Sequence, residues 1–245
     1  MEFGGIQKLT LLDYPEKTAC TLFTIGCNFR CPFCHNTMFL EPYVCRDDSL
    51  PISYDETEIL SFLKTRQGLL DGVCISGGEP LMQNGLDSFI RKVKELGFLV
   101  KLDTNGNYPQ KLAELINSGN VDYVAMDIKN ALEKYGKTVG VAKCDIAPFT
   151  ESVGILHSSP IDYEFRTTVV RDFHTVDDLK SIARWIAKTA RMSKNSDRQE
   201  KYFLQGFIDS EGVLQKGLSG YTAEEMQQLL DEVKKVLPTA ELRGI

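Results

Sequence analysis

The chain has 245 residues, is 42% hydrophobic and 25% charged, and carries a net charge of −6 at neutral pH. At roughly 150 residues per domain that length suits one large domain or two small ones, and the apolar fraction supports a sizeable core, which excludes wholesale disorder. No window approaches the roughly 18 uninterrupted apolar residues of a membrane span, Met1-Glu2-Phe3-Gly4-Gly5 lacks the layout of a signal peptide, and an acidic balance with no Lys/Arg run argues against nucleic acid as the main partner; the expected location is the cytoplasm.

Short β-branched runs alternate with longer amphipathic segments along the chain. Residues 18–25 read as a first strand, and residues 40–53 as a loop. A helical pattern over 54–67 places Ile59, Leu60, Phe62 and Leu63 on one side. The run 73–76 predicts a second strand, and 85–96 a helix carrying Leu86, Phe89, Ile90, Val93 and Leu96. A third strand follows at 98–103, then a helix at 109–117 with Gly119 as its stop. Residues 121–128 predict the fourth strand. The helical pattern at 145–157 is interrupted by Pro148 and Gly154. A fifth strand at 163–170 leads into a helix at 175–188 that starts on Thr175. The polar stretches 193–200 and 209–220 read as surface loops on either side of a sixth strand at 202–208. Thr222 and Glu225 then make a capping box for a helix at 222–236.

Six strand-then-helix units in series imply right-handed crossovers and a parallel sheet. Eight would close a TIM barrel, so six predict an α/β fold of partial (β/α)6 TIM-like form. No composition break marks a second domain, and the expectation is a single domain over residues 1–245. In such sheets chemistry gathers at the carboxyl ends of the strands.

Seven cysteines at uneven spacing do not suggest a disulfide framework. Cys20 and Cys74 lie in apolar stretches and read as packing residues, and Cys45 and Cys144 as incidental. Cys27, Cys31 and Cys34 lie just after the first strand, spaced four and three apart. Three thiolates at that spacing can fold around a compact inorganic centre; a four-iron cubane held by three cysteines keeps one iron open for a small molecule. Two other readings stand beside it. Cys31 and Cys34 alone make a redox pair, or the three cysteines with His35 make a structural zinc site, although His35 directly follows Cys34.

Cys27, Cys31, Phe33 and Cys34, as Cys-x3-Cys-x-aromatic-Cys, resemble the signature of radical S-adenosylmethionine (SAM) enzymes. Cys34-His35-Asn36 and Leu11-Leu12-Asp13-Tyr14-Pro15 look more narrowly like the activating proteins of anaerobic ribonucleoside-triphosphate reductase, a resemblance that runs from about Gly5 to Leu242-Arg243-Gly244. Glu16 departs from it, standing where a glycine is common.

The second strand ends in Gly77-Gly78-Glu79-Pro80. Glycine admits close backbone approach to a ligand, and a carboxylate beside it accepts from an ammonium; a simple strand-to-helix turn is the plain alternative. The resemblance makes these residues the holders of the SAM amino group. The third strand ends in Asp103-Thr104-Asn105-Gly106, otherwise a turn signal. The fourth ends in Asp127-Ile128-Lys129, where an Asp and a Lys would ordinarily pair with one another. The resemblance implies that Lys129 faces the SAM carboxylate, that Asn105 lines the site, and that Asp103 and Asp127 line it or hold a monovalent cation. Arg166 in the fifth strand needs a carboxylate partner, either SAM or Glu164 on the same face. Gln205 reaches the nucleoside or is a satisfied core residue. Phe33 offers an aromatic face to adenine.

The implied activity follows from the same resemblance. A [4Fe–4S] cluster held by Cys27, Cys31 and Cys34 receives an electron from flavodoxin or ferredoxin and cleaves SAM reductively. The resulting 5′-deoxyadenosyl radical takes a hydrogen from a glycine of the partner reductase. No side chain is needed as general acid or base. The rival readings are an activating enzyme for pyruvate formate-lyase or another glycyl radical enzyme, a small-molecule radical SAM enzyme, a zinc-stabilised binding module and a disabled paralogue.

Overall fold

The structure is a computed structural model that describes residues 1–40, 53–192 and 200–244. Cys45, with most of the loop expected over 40–53, and all but the last residue of that expected over 193–200 lie outside the described residues. The chain divides into two compact units, one of residues 1–28, 36–104 and 110–125, the other of residues 29–35, 105–109 and 126–245.

The first unit holds β1 (Glu2–Thr10), β2 (Ala19–Thr24), β3 (Tyr54–Asp55), α1 (Glu56–Lys64), β4 (Gly72–Gly77), α2 (Leu86–Glu95) and β5 (Leu99–Thr104), with all of α3 (Pro109–Asn117) but its first residue. Its strand order is β3-β1-β2-β4-β5. β2, β4 and β5 are parallel, in the register Thr24↔Gly77 and Ile75↔Leu102, so their carboxyl ends share one edge. β1 was not expected from the sequence. It pairs antiparallel with β2 and β3, with register shifts at Phe3/Gly5 and Gln7/Thr10. Only Phe3, Gly4 and Thr10 of its nine residues are buried, so it lacks the continuous apolar run of a two-sided strand. Gly4 is needed because the Phe39 ring lies over it: an added Cβ would fall 2.7 Å from Cδ1.

The second unit holds α4 (Tyr135–Val139), α5 (Ala147–Ser158), β7 (Asp162–Val169), α6 (Val176–Arg191), β8 (Tyr202–Gly206), α7 (Ala223–Lys234) and β9 (Ala240–Arg243). β7, β8 and β9 are parallel, with Thr168↔Gln205 and Gln205↔Arg243 in register. β6 (Tyr123–Asp127) divides after Ala125, which leaves Met126 and Asp127 in this unit. β9 was too short and polar to be expected.

All six predicted strands and all six predicted helices are present, and the protein is an α/β fold with mostly parallel strands. α1 begins two residues after the expected start because Asp55 caps it, in a box with Glu58. Thr222 and Glu225 cap α7 as expected. Pro148 does not interrupt α5; it sits in the first turn, where its missing N–H costs nothing. Residues 209–220 carry no helix or strand, yet they bury Val213 and Leu218. No helix of the described residues is long and apolar enough to cross a membrane.

Candidate functional site

In the first unit, the segment after β2 and the segment after β4 are zipped together by their backbones. Gly78 N–H donates to Thr24 O (2.9 Å) and Glu79 N–H to Gly26 O (2.8 Å). A Cβ on Gly78 would lie 2.0 Å from Gly26 O, and one on Gly77, whose φ is +103°, would lie 2.4 Å from Thr24 N. The two glycines therefore serve the approach of backbone to backbone, beside half-buried Cys27. Asn36 Nδ2 donates to Gly77 O at 3.1 Å, a role its place after Cys34-His35 had not suggested.

The Glu79 carboxylate is not turned outward to an ammonium, as the sequence had implied. It is fully buried, accepts the Leu81 N–H (3.0 Å) and the Thr104 hydroxyl (2.8 Å), and so caps the short turn Pro80–Met82 that Pro80 opens. Asp103 is likewise engaged: Oδ1 meets the ammonium of buried Lys101 and Oδ2 accepts from Ser76 Oγ (3.2 Å). Lys101, which follows from no motif, is also 3.8 Å from Cys74 Sγ. Cys20 and Cys74 are fully buried, and burial pushes the Cys20 thiol up to about 12, an inert packing residue as expected.

In the second unit, Cys34 N–H donates to Cys31 O (3.0 Å), a tight turn that spans the two cysteines. Cys31 is buried and Cys34 half-buried. Phe33 between them is buried, tilted against Phe173 (ring centroids 5.6 Å apart) and against the edge of His174 (6.1 Å). Asn105 makes the turn its sequence signals, accepting the Asn107 N–H at 3.0 Å, with Gly106 at φ +77°.

Asp127 is the centre of the charge arrangement. It pairs with Lys129 through Oδ2 (2.9 Å), as the plain reading of the strand expected, and accepts Arg166 Nε through Oδ1 (2.9 Å). Arg166 thus finds its carboxylate partner in Asp127. Glu164 is buried and bound in two places by Arg243 of β9 (2.6 and 3.0 Å), whose guanidinium lies 3.7 Å over the Phe203 ring. The two carboxylates share the work because β9, absent from the sequence reading, brings a second guanidinium to the face. Burial disfavours the Asp127 charge, but Arg166 and Lys129 outweigh it and hold the carboxyl well below the usual range. Burial also disfavours the Lys129 charge, and the negative charges of Asp127, Cys31 and Cys34 outweigh that, raising it.

Two further residues steady Lys129. Its N–H donates to the hydroxyl of buried Tyr135 (3.3 Å). His174, which burial holds neutral, accepts the Val170 N–H at Nδ1 (3.1 Å) and donates from Nε2 to Lys129 O (2.8 Å). Gln205 is half-buried on β8 between Thr168 and Arg243.

Within either unit taken alone, the described residues gather no three His, Cys, Asp or Glu side chains for a metal ion; Cys27 lies in the first unit, and Cys31 and Cys34 in the second. None of the described cysteines is in a disulfide. In the second unit, two soft thiols, Cys31 and Cys34, and a cation on which they act are donors suited to an iron–sulfur cluster.

A family model described as the radical SAM superfamily matches residues 21–186. A relative from Methanocaldococcus jannaschii, whose name, itself an inference, is glycyl-radical enzyme activating enzyme, is 33% identical over 190 residues, covering 75% of this chain and 74% of that one. A pyruvate formate-lyase-activating enzyme of Staphylococcus aureus is 32% identical over 136 residues, 51% of this chain and 52% of its own. The crystal structure of Streptococcus suis SuiB bound to S-adenosylmethionine matches with a TM-score of 0.65 at 12% identity, over 91% of this chain and 48% of that one, a likeness of fold. The chain belongs to the radical SAM superfamily, in the family of the glycyl-radical enzyme activating enzymes.

Proposed function

We propose that the chain is the activating enzyme of a glycyl radical enzyme, acting as one radical SAM domain, and that its partner is anaerobic ribonucleoside-triphosphate reductase. The observation that carries the reading is Asp127 held between Lys129 and Arg166, each at 2.9 Å, in the unit that also carries Cys31 and Cys34. Cationic side chains in the unit that carries two of the cysteines suit a ligand that brings a carboxylate to a metal.

Cys27, Cys31 and Cys34 would hold a [4Fe–4S] cluster. With SAM bound, that cluster supplies one-electron cleavage of the sulfonium. The chain's own residues bind, orient and exclude water. The Glu79 side chain is committed to its turn, so the contribution of Gly77, Gly78, Glu79 and Pro80 to the SAM amino group falls to backbone carbonyls. Lys129 and Arg166, oriented by Asp127, meet the negatively charged and hydroxyl-rich parts of SAM. Phe33, Asp103, Asn105 and Gln205 line the nucleoside. The cationic partner of Asp103 is Lys101, and those of Asp127 are Lys129 and Arg166, so neither carboxylate requires a monovalent cation. The electron donor is flavodoxin or ferredoxin, and the setting is the cytoplasm.

Cys34-His35-Asn36 and residues 11–15 favour the reductase as target. The 32% identity to a pyruvate formate-lyase-activating enzyme favours a second target, pyruvate formate-lyase. Anaerobic incubation with SAM, dithionite and each candidate protein, read by electron paramagnetic resonance, separates them. A glycyl doublet is expected on the reductase, and a doublet on the lyase alone would move the target. Absence of 5′-deoxyadenosine, or a colourless protein that binds zinc and no iron, would overturn the reading itself.

A further inference from the structure

Two carbonyls of the cysteine loop are met by a segment about 180 residues further along the chain. Gln215 N–H donates to Pro32 O (2.8 Å) and Leu214 N–H to Cys34 O (3.2 Å). His35 Nε2 donates to Ile208 O (2.8 Å), and its ring stacks on Phe207 at 5.4 Å and 18°. Gly212 is pressed so close that an added Cβ would lie 3.2 Å from His35 O.

The segment is closed on itself. Lys216 Nζ donates to the carbonyls of Ser210 (2.9 Å) and Glu211 (2.6 Å). Val213 N–H donates to Ser210 O (3.1 Å), and Gly217 N–H to the Asp209 carboxylate (3.3 Å). Val213 and Leu218 are buried beneath it. A loop with its ends close together and its own packed side chains is a rigid object, not a loose connection.

We propose that residues 207–217 are a strap that sets the conformation of the cysteine loop, with His35, Gly212 and Lys216 as its positioning residues. The strap supplies the backbone donors that Pro32 and Cys34 need, and through them it fixes the turn that carries Cys31 and Cys34. Lys216 keeps those donors aligned, and Gly212 lets the strap lie against His35. The alkylation readout below stands on the geometry alone; only the iron readout rests on the cluster reading.

The test compares the full chain with Gly212→Val, Lys216→Met, His35→Ala and His35→Gln. In metal-free protein under anaerobic conditions, iodoacetamide labelling of each cysteine is followed by peptide mass spectrometry. Loss of one or two hydrogen bonds shifts an opening equilibrium by roughly five- to tenfold. Gly212→Val, Lys216→Met and His35→Ala are therefore expected to label Cys31 and Cys34 faster by about that factor. Cys20 and Cys74, buried in their strands, should react at the wild-type rate, which general loosening would not allow. His35→Gln should recover much of the His35→Ala effect, because its amide can donate to Ile208 O. In iron-reconstituted protein, release of iron to a chelator should accelerate by a similar factor in the same variants. Labelling of Cys31 and Cys34 at the wild-type rate in a folded Lys216→Met protein would overturn the strap. Should Gly212→Val unfold, seen as equal labelling of Cys20 and Cys74, the other two variants decide by the same criterion. A wild-type chain that takes up no iron would sink the cluster reading and leave the labelling result standing.

Discussion

Replacing Asp127 by Asn keeps the shape of the side chain and removes its charge. In the folded protein that charge meets Lys129 and Arg166, each at 2.9 Å. The Asn carbonyl can still accept from Arg166 Nε, but its amide group then faces the Lys129 ammonium, donor against donor. Removing one member of a buried ion pair costs roughly 3–5 kcal/mol, because the partner charge stays behind. Asp127 is 29% exposed, so water relieves part of that, and a loss of about 3 kcal/mol at pH 7 is expected. For a chain of this size each kcal/mol moves the melting temperature by roughly 2–4 °C, so the variant should melt about 6–12 °C lower. The pH dependence has a definite sign. The folded-state pKa of Asp127 is depressed, so its contribution is present above the unfolded carboxyl value of about 3.9 and is lost as pH falls through the folded one. The stability gap between wild type and variant should be flat above about pH 5 and narrow below about pH 4. Urea denaturation of the metal-free protein, repeated across that range, measures it. A gap below about 1 kcal/mol at pH 7, or one that does not shrink in acid, would refute a carboxylate clamped between two cations.

Two other substitutions probe features with no direct part in the chemistry. Arg243→Met leaves Glu164 buried without its guanidinium and should cost about 3 kcal/mol in urea denaturation; adding Glu164→Leu should restore most of it, and additive losses would argue against the pair. Glu16 has φ +60°, the left-handed region, and no other described residue except glycine has a positive φ. Glu16→Gly should therefore raise stability by up to about 1 kcal/mol, and a loss of stability would mean that the Glu16 side chain contributes more than its backbone strain costs.

At Glu16, where the resemblance implied a glycine, the backbone is left-handed, the conformation that glycine adopts most readily. Other features were legible because they are local. The helix Pro109–Asn117 appears with its predicted ends and with Gly119 at φ +71° behind it. The Thr222–Glu225 capping box, the turn at Asn105-Gly106 and the burial of Cys20 and Cys74 each depend on a few neighbouring residues. The cysteine spacing and the Gly77–Pro80 segment were equally plain, although the reason for the glycines was not. They are there for Gly26 and Thr24, not only for a ligand.

Spacing, periodicity and capping are written within a turn or a strand, so the sequence alone determined the order of six helices and six strands and marked three closely spaced cysteines as candidate cluster ligands. Partner choice is not written there. Arg166 finds Asp127 across 39 residues, Glu164 finds Arg243 across 79, and Glu79 spends its carboxylate on Leu81 and Thr104. Such choices follow from which strands become neighbours and in what register, and from the cost of leaving a buried charge unmatched, which only the folded chain settles.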